Sequence, residues 1–251
     1  MRLLTLGTVL LIAAGVASPQ SAGVGVYNEA NSLYRASRFD EALERYLRAA
    51  ATGSKDWRLF YNLGNAHFKV GKIGEAIVWY ERALKLNPRD EDIIANLSFL
   101  NRVKKDQEPE SQRNPVWEFF VGVFSYPTLN ELSVASSIGL LLLVTLSTWY
   151  LWRPDSGGAQ RWLGLGVLTG VTLACAIWLG SRALYEEELR DAVIVVSQAT
   201  ARSGPDETQT KVLVIHEGTK VRIDRFEGEW ALVRLATGLG GWMQQELFME
   251  I

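Results

Sequence analysis

Apolar positions in this chain gather into three blocks without a single charge, and the rest of the sequence alternates apolar and polar residues at helical or strand spacing. The first block, Leu3 to Val16, follows Arg2 and is fourteen residues long. As a helix it would rise about 21 Å, short of the ~30 Å hydrocarbon core of a bilayer. It therefore reads as an export signal over residues 1–22, with Gly15-Val16-Ala17 or Gln20-Ser21-Ala22 as cleavage positions. The other two blocks, Leu132 to Trp152 and Trp162 to Ser181, are 21 and 20 residues long. That is the length a spanning helix needs, and Trp149, Tyr150 and Trp152 suit a headgroup belt. Two such runs nine residues apart predict a transmembrane hairpin with a cytoplasmic loop at 153–161. If the first block exports the chain, the segments on both sides of the hairpin face away from the cytosol. The aromatic run VWEFFVGVFSYPTLN, within a linker over 111–131, is broken by Glu118 and Pro127 and predicts an elbow lying on the bilayer surface.

Residues 23–110 carry a helical pattern that repeats every 34 residues. Ala42, Tyr46 and Ala49 recur as Ala76, Tyr80 and Ala83, Ala30-Asn31 as Gly64-Asn65, and Tyr34 as Phe68. Units 23–56 and 57–90 are each expected to form two helices, with Gly64 and Ala76 admitting close approach and Pro88 ending the last helix. A further helix from Glu91, with an apolar stripe of Ile93, Ile94, Leu97 and Leu100, has no second helix behind it and is expected to cap the stack. After a short helical exit over 182–190, residues 191–251 change to β-branched runs broken by turn residues. AVIVVSQATA, KVLVIHE, KVRIDRF, WALVRLAT and a last short strand after Gly238-Leu239-Gly240-Gly241-Trp242 predict five strands in a small barrel. The expected fold class is thus a multidomain membrane protein: an all-α repeat solenoid, a two-helix hairpin and an all-β small barrel.

The 22% charged residues and net charge of −2 exclude a strongly basic nucleic-acid binder. From Glu186 onward, twelve acids face seven bases, which disfavours nucleic acid and anionic lipid as ligands of the β-region. Cys175, the single cysteine, cannot form an internal disulfide or a redox pair, and its place in the last apolar block makes it a packing residue. Gly166 and Gly170, in the same block, have the four-residue spacing that lets helices pack closely, a spacing that is also common by chance. No serine lies in a nucleophile elbow, the two histidines lie in different segments, and the glycine runs sit in an apolar block or between strands. No catalytic, metal or cofactor site is therefore expected, and the chain reads as a non-enzyme.

Residues 57–90 resemble the tetratricopeptide repeat, with NLGNAHFKVGKIGEAIVWYERALKLNP close to a consensus unit. The first unit departs from it, with Glu29 at a leucine position and Ser54 at the proline position. His67 stands where the repeat usually has an aromatic, which predicts a packed ring. The resemblance implies a groove for a peptide or partner helix, faced by Tyr27, Asn31, Tyr34, Arg35, Arg58, Tyr61, Asn62, Asn65, Phe68 and Lys69. One variant of these repeats clamps a C-terminal carboxylate pair; Asn31 and Asn62 match its asparagines, but its basic positions fall at Tyr27, Asp92 and Asn96, so that ligand class is not carried over. Residues 191–251 resemble a bacterial SH3 domain through RSGP, EGTKV, EW-ALVRL and GLGGW in that family's order. Trp230 and Trp242 are its candidate contacts, weighed against the more usual role of tryptophan in so small a core.

The whole order is similar to the BatE-type component of the bacterial aerotolerance (Bat) operons. That resemblance implies membrane-anchored von Willebrand factor A-domain proteins and other Bat-operon proteins as partners, beside the lipid bilayer. It implies a bacterial inner-membrane location with both soluble parts on the periplasmic side, and no cofactor. Two roles follow: an envelope scaffold in a stress complex, or a cell-wall-binding, stress-sensing module whose SH3-like domain reads peptidoglycan.

Overall fold

A computed structural model describes residues 19–106, 114–152, 158–188 and 190–251. The signal segment up to residue 18 and most of the hairpin loop, Arg153 included, lie outside the described residues. The chain divides into two compact units, Met1–Asn96 and Leu97–Ile251.

The first unit is helical: α1 (Pro19–Arg35), α2 (Phe39–Ala51), α3 (Trp57–Lys69), α4 (Ile73–Leu86) and the start of α5 (Glu91–Val103). Helix α1 begins ahead of the second expected cleavage position, Gln20–Ala22. The small residues Ala30, Ala42, Ala49 and Ala66 are buried with Leu43, Tyr46, Leu59, Leu63 and Trp79 in one core. On α5, Ile93, Leu97 and Leu100 are buried as the stripe predicts, whereas Ile94 points outward.

The two turns within the helix pairs repeat as closely as the sequence does. Arg38 N–H donates to Leu33 O at 3.0 Å, and Lys72 N–H to His67 O at 2.9 Å, each closing a helix C-terminus over a residue with positive φ. That residue is Gly71 (φ 80°) in the second pair and Ser37 (φ 59°) in the first. Because a Cβ is disfavoured in this conformation, Ser37→Gly is expected to raise stability by up to ~1 kcal/mol. Urea melts of the two proteins check it; an unchanged or lowered midpoint refutes it.

The second unit holds the end of α5, then α6 (Pro115–Ser125), α7 (Leu129–Trp152) and α8 (Ala159–Glu188), followed by seven strands. Asn114 caps α6, its side chain accepting from Val116 N–H at 2.9 Å, with Pro115 in the first turn. Helices α7 and α8 are long and apolar enough to cross a membrane over Leu129–Tyr150 and Trp162–Leu184. Their large side chains point outward: Leu141 is 64% exposed and Ile177 71%. The two pack against each other where Gly139 meets Thr172; a Cβ there would lie 2.7 Å from the threonine hydroxyl. Gly166 and Gly170, by contrast, have nothing within 4 Å of a built Cβ, so the predicted glycine pair is not where the hairpin closes. The C-terminal end of α6 meets α8, with Trp178 Nε1–H donating to Phe124 O at 3.1 Å, the two rings stacked and Arg182 over Phe124.

The strands are β1 (Asp191–Ile194), β2 (Gln198–Arg202), β3 (Lys211–His216), β4 (Lys220–Glu227), β5 (Trp230–Arg234), β6 (Gly240–Gln244) and β7 (Phe248–Glu250). They form one antiparallel sheet in the order β3-β2-β6-β5-β4-β1-β7. Seven strands stand where five were expected. The run AVIVVSQATA divides because β1 pairs with β4 and β7, whereas β2 pairs with β3 and β6. The final segment divides around a short 3-10 turn at Gln245–Leu247. Among the described residues no pairing joins β3 to β7, so the sheet is open. One face buries Ala192, Ile194, Ala199, Ala201, Ile215, Val221, Ile223, Ala231, Val233, Met243 and Phe248.

Candidate functional site

The groove candidates lie on α1 and α3, the first helices of the two pairs. Spacings of three and four residues put Tyr27, Asn31 and Tyr34 on one face of α1, and Tyr61, Asn65 and Phe68 on the matching face of α3.

Polar bonds between the repeats build this surface. Tyr46 on α2 donates its hydroxyl to Asn31 Oδ1 at 2.7 Å. Asn62 on α3 reaches back with its Nδ2, donating to Tyr27 OH at 2.9 Å and to Asn31 Oδ1 at 3.1 Å. The same set recurs 34 residues on: Tyr80 donates to Asn65 Oδ1 at 2.6 Å, and Asn96 Nδ2 donates to Tyr61 OH at 3.3 Å and Asn65 Oδ1 at 3.4 Å. The rings follow the polar atoms, with Tyr27–Tyr46 centroids 5.9 Å apart and Tyr61–Tyr80 5.7 Å. Burial, reinforced by the neighbouring tyrosines, pushes the pKa values of Tyr46 and Tyr80 far upward, so both remain hydroxyl donors. Tyr34 shifts up for the same first reason and through Tyr61.

Tyr27, Asn31, Asn62, Tyr61 and Asn65 are therefore brought together as two matching networks. The asparagine amide donors are turned into the stack. The remaining candidates stand at the network's margins. Phe68 is 37% exposed. Lys69 lies over the Phe39 ring, whose edge meets Tyr34. Arg58 stacks on Trp57 at the start of α3, and Arg35 reaches Ser32 on its own helix. A cavity of about 630 Å³ opens beside Tyr27, lined also by Gly23, Val24, Thr52, Lys55 and Leu59. Sequence reasoning missed Tyr46, Tyr80 and Asn96 as members of the polar network. Tyr46 and Tyr80 look like packing residues, and Asn96 stands out only as a departure from the carboxylate clamp. The signal was present in the 34-residue interval between Asn62 and Asn96.

His67 is packed as expected, 5% exposed and stacked on Trp79. Neither of its ring nitrogens has a hydrogen-bond partner among the described residues. In the sheet, Trp230 is half-buried and Trp242 is buried. Trp242 is not part of the core that holds Met243; it faces the other side of β6, with the Arg225 guanidinium 5.0 Å from its ring centre. Trp230, opposite Gln244, and Trp242, opposite Leu232, fall on the same face of the sheet, away from the core that holds Ala231 and Met243. Among the described residues no group of three or more His, Cys, Asp or Glu side chains is placed to hold a metal ion.

Residues 27–91 match the family model described as Tetratricopeptide repeat. Among solved structures, the chain is similar to "Second TPR of Spaghetti (RPAP3) bound to HSP90 peptide SRMEEVD", at 19% identity and a TM-score of 0.32, over 33% of this chain and 77% of that one. Comparison with curated proteins gives no match. With the sequence period, the paired helices and the duplicated tyrosine–asparagine network, the family match identifies the N-terminal helical part as tetratricopeptide repeats.

Proposed function

We propose that this protein is a non-enzymatic scaffold of the bacterial inner membrane that holds partner proteins in its repeat groove. The observation that carries the reading is the duplicated surface of α1 and α3, where exposed Phe68, Arg35, Arg58 and Lys69 flank networks that fix the groove's floor. A surface so braced presents aromatic and basic side chains with little ordering left to do on binding.

Helices α7 and α8 are read as the membrane anchor, because an outward face of leucine, isoleucine and valine suits a lipid solvent and not water. Asp106, ahead of the hairpin, is hydrogen-bonded to His216 and Thr219, behind it. Such bonds require both segments on one side of a bilayer, which supports two crossings. The periplasm is the side given by reading the first apolar block as an export signal. The open sheet is read as SH3-like, and the complete order as Bat-type, with von Willebrand factor A-domain proteins of the membrane as partners. In the cell-wall reading the SH3-like domain would meet peptidoglycan; burial of Trp242 beneath Arg225 weighs against it.

Photo-crosslinking from Tyr61 and Lys69 in intact cells is expected to trap integral-membrane proteins with a von Willebrand factor A domain. Reporters active only in the cytosol, fused at residues 110 and 251, are expected to stay silent. Trapping of soluble cytosolic proteins, or a signal from either fusion, overturns the proposal, and capture of the full chain by purified sacculi favours the cell-wall reading.

A further inference from the structure

The turn between β3 and β4 converges three donors on one point. Gly218 takes φ 83°, and the turn is pinned to β1 by Gly218 N–H donating to Ile194 O at 2.9 Å and by Ile194 N–H donating to Thr219 O at 3.0 Å. So held, it aims the His216 backbone N–H, the His216 imidazole Nδ1 and the Thr219 hydroxyl at a common centre. The Asp106 carboxylate occupies that centre. Its Oδ2 accepts from His216 N–H at 2.7 Å and from Thr219 Oγ1 at 3.1 Å, and its Oδ1 meets His216 Nδ1 at 2.8 Å.

The proton positions follow from the neighbours. Lys105 Nζ lies 2.8 Å from His216 Nε2. An ammonium has donors only, so Nε2 accepts and the ring proton sits on Nδ1, facing Asp106. Burial alone would raise the pKa of Asp106, but the donors of His216 and Thr219 outweigh it and hold the carboxyl below its ordinary value. The seat thus matches an ionised carboxylate: two oxygens, each met by a donor from one rigid turn, with Thr219 only 2% exposed.

We propose that the turn from His216 to Thr219 is a carboxylate-binding site whose resident ligand is Asp106, latching the segment after α5 to the β-sheet. The site is independent of the membrane reading, since it rests only on these contacts. When Asp106 is removed, the seat should accept a carboxylate from solution.

The chain has two histidines, so nitrogen-15 histidine labelling of the full chain in detergent gives two imidazole signals, assigned with His67→Phe. In the wild type at neutral pH the His216 signal should report an Nδ1-protonated ring indifferent to sodium acetate. In Asp106→Ala the ring should shift to a mixture of tautomers, and acetate, unlike chloride at equal ionic strength, should restore the wild-type signal. Adding Thr219→Val should weaken that response about tenfold. Asp106→Asn, which keeps the side chain's size, should show the same loss, and an unchanged circular-dichroism spectrum and melt confirm that the sheet is folded. A His216 signal unchanged by both Asp106 variants, or an acetate response equal to that of chloride, overturns the proposal.

Discussion

Gly64→Leu is expected to destabilise the helical unit by about 3 kcal/mol, at the upper end of what overpacking costs, and to abolish partner capture from Lys69. A Cβ on Gly64 would stand 2.6 Å from both Cδ1 and Cε1 of Tyr80. Tyr80 cannot swing aside freely, because it is 2% exposed and its hydroxyl is bonded to Asn65. The branched end of a leucine would therefore part α3 from α4 and break the second network along with the groove floor. The equivalent residue of the first pair, Ala30, is fully buried and already carries a Cβ. Gly64→Ala, one carbon larger, should accordingly cost about 1 kcal/mol. Thermal melts and the crosslinking yield read both variants. Unchanged melting and full capture in Gly64→Leu would disprove the close packing.

His67 should make the same unit sensitive to acid. Burial, with a smaller contribution from the Lys72 charge, pushes its pKa from 6.5 down to about 4. As pH falls below 6.5, the unfolded chain binds a proton at this residue that the folded chain refuses, so stability declines through the window until the folded ring also protonates near 4. The total loss is about 3 kcal/mol, at ~1.36 kcal/mol per pH unit. His67→Phe keeps an aromatic ring against Trp79 and removes two nitrogens that lack partners. It should gain about 1 kcal/mol at neutral pH and lose less between pH 6.5 and 4 than the wild type does. Parallel stability curves for the two proteins over that range would show that the ring is not the acid-sensitive group.

The helical pairs were legible because their packing rests on residue size at fixed intervals, and Ala42, Ala76, Ala83 and Gly64 declare that interval openly. The direction of polar bonds was not: nothing in a tyrosine at position 46 says that its hydroxyl ends on Asn31 rather than in water. The β-region shows a similar limit. Five β-branched or small residues from Ala192 to Val196 read as one strand, yet the partner strands change beyond Ile194, from partners that follow 27 to 58 residues later to a hairpin partner 9 to 18 residues later. Gly240 and Gly241 look like turn residues, but both lie in β6, where a Cβ would come within 2.3 Å of Val233 O and 2.8 Å of Arg202 O respectively. Gly166 and Gly170 carry a recognisable spacing, and the hairpin nevertheless closes at a lone glycine opposite a threonine. Asp106 belongs to a polar stretch that composition reads as solvated, and only folding places it on His216.

The backward reach of Asn62 and Asn96 sets how the stack comes apart. Asn62 joins α3 to α1, where Asn31 also takes the Tyr46 hydroxyl of α2, and Asn96 joins α5 to both α3 and α4, so three helices meet at each network. Truncation after residue 90 would strip Asn96 from Tyr61, Asn65 and Tyr80 and leave the last pair with an unfinished edge. Loss of order should therefore begin at that open end and run inward, and a binding partner that spans α5 would act as the missing next turn of the spiral.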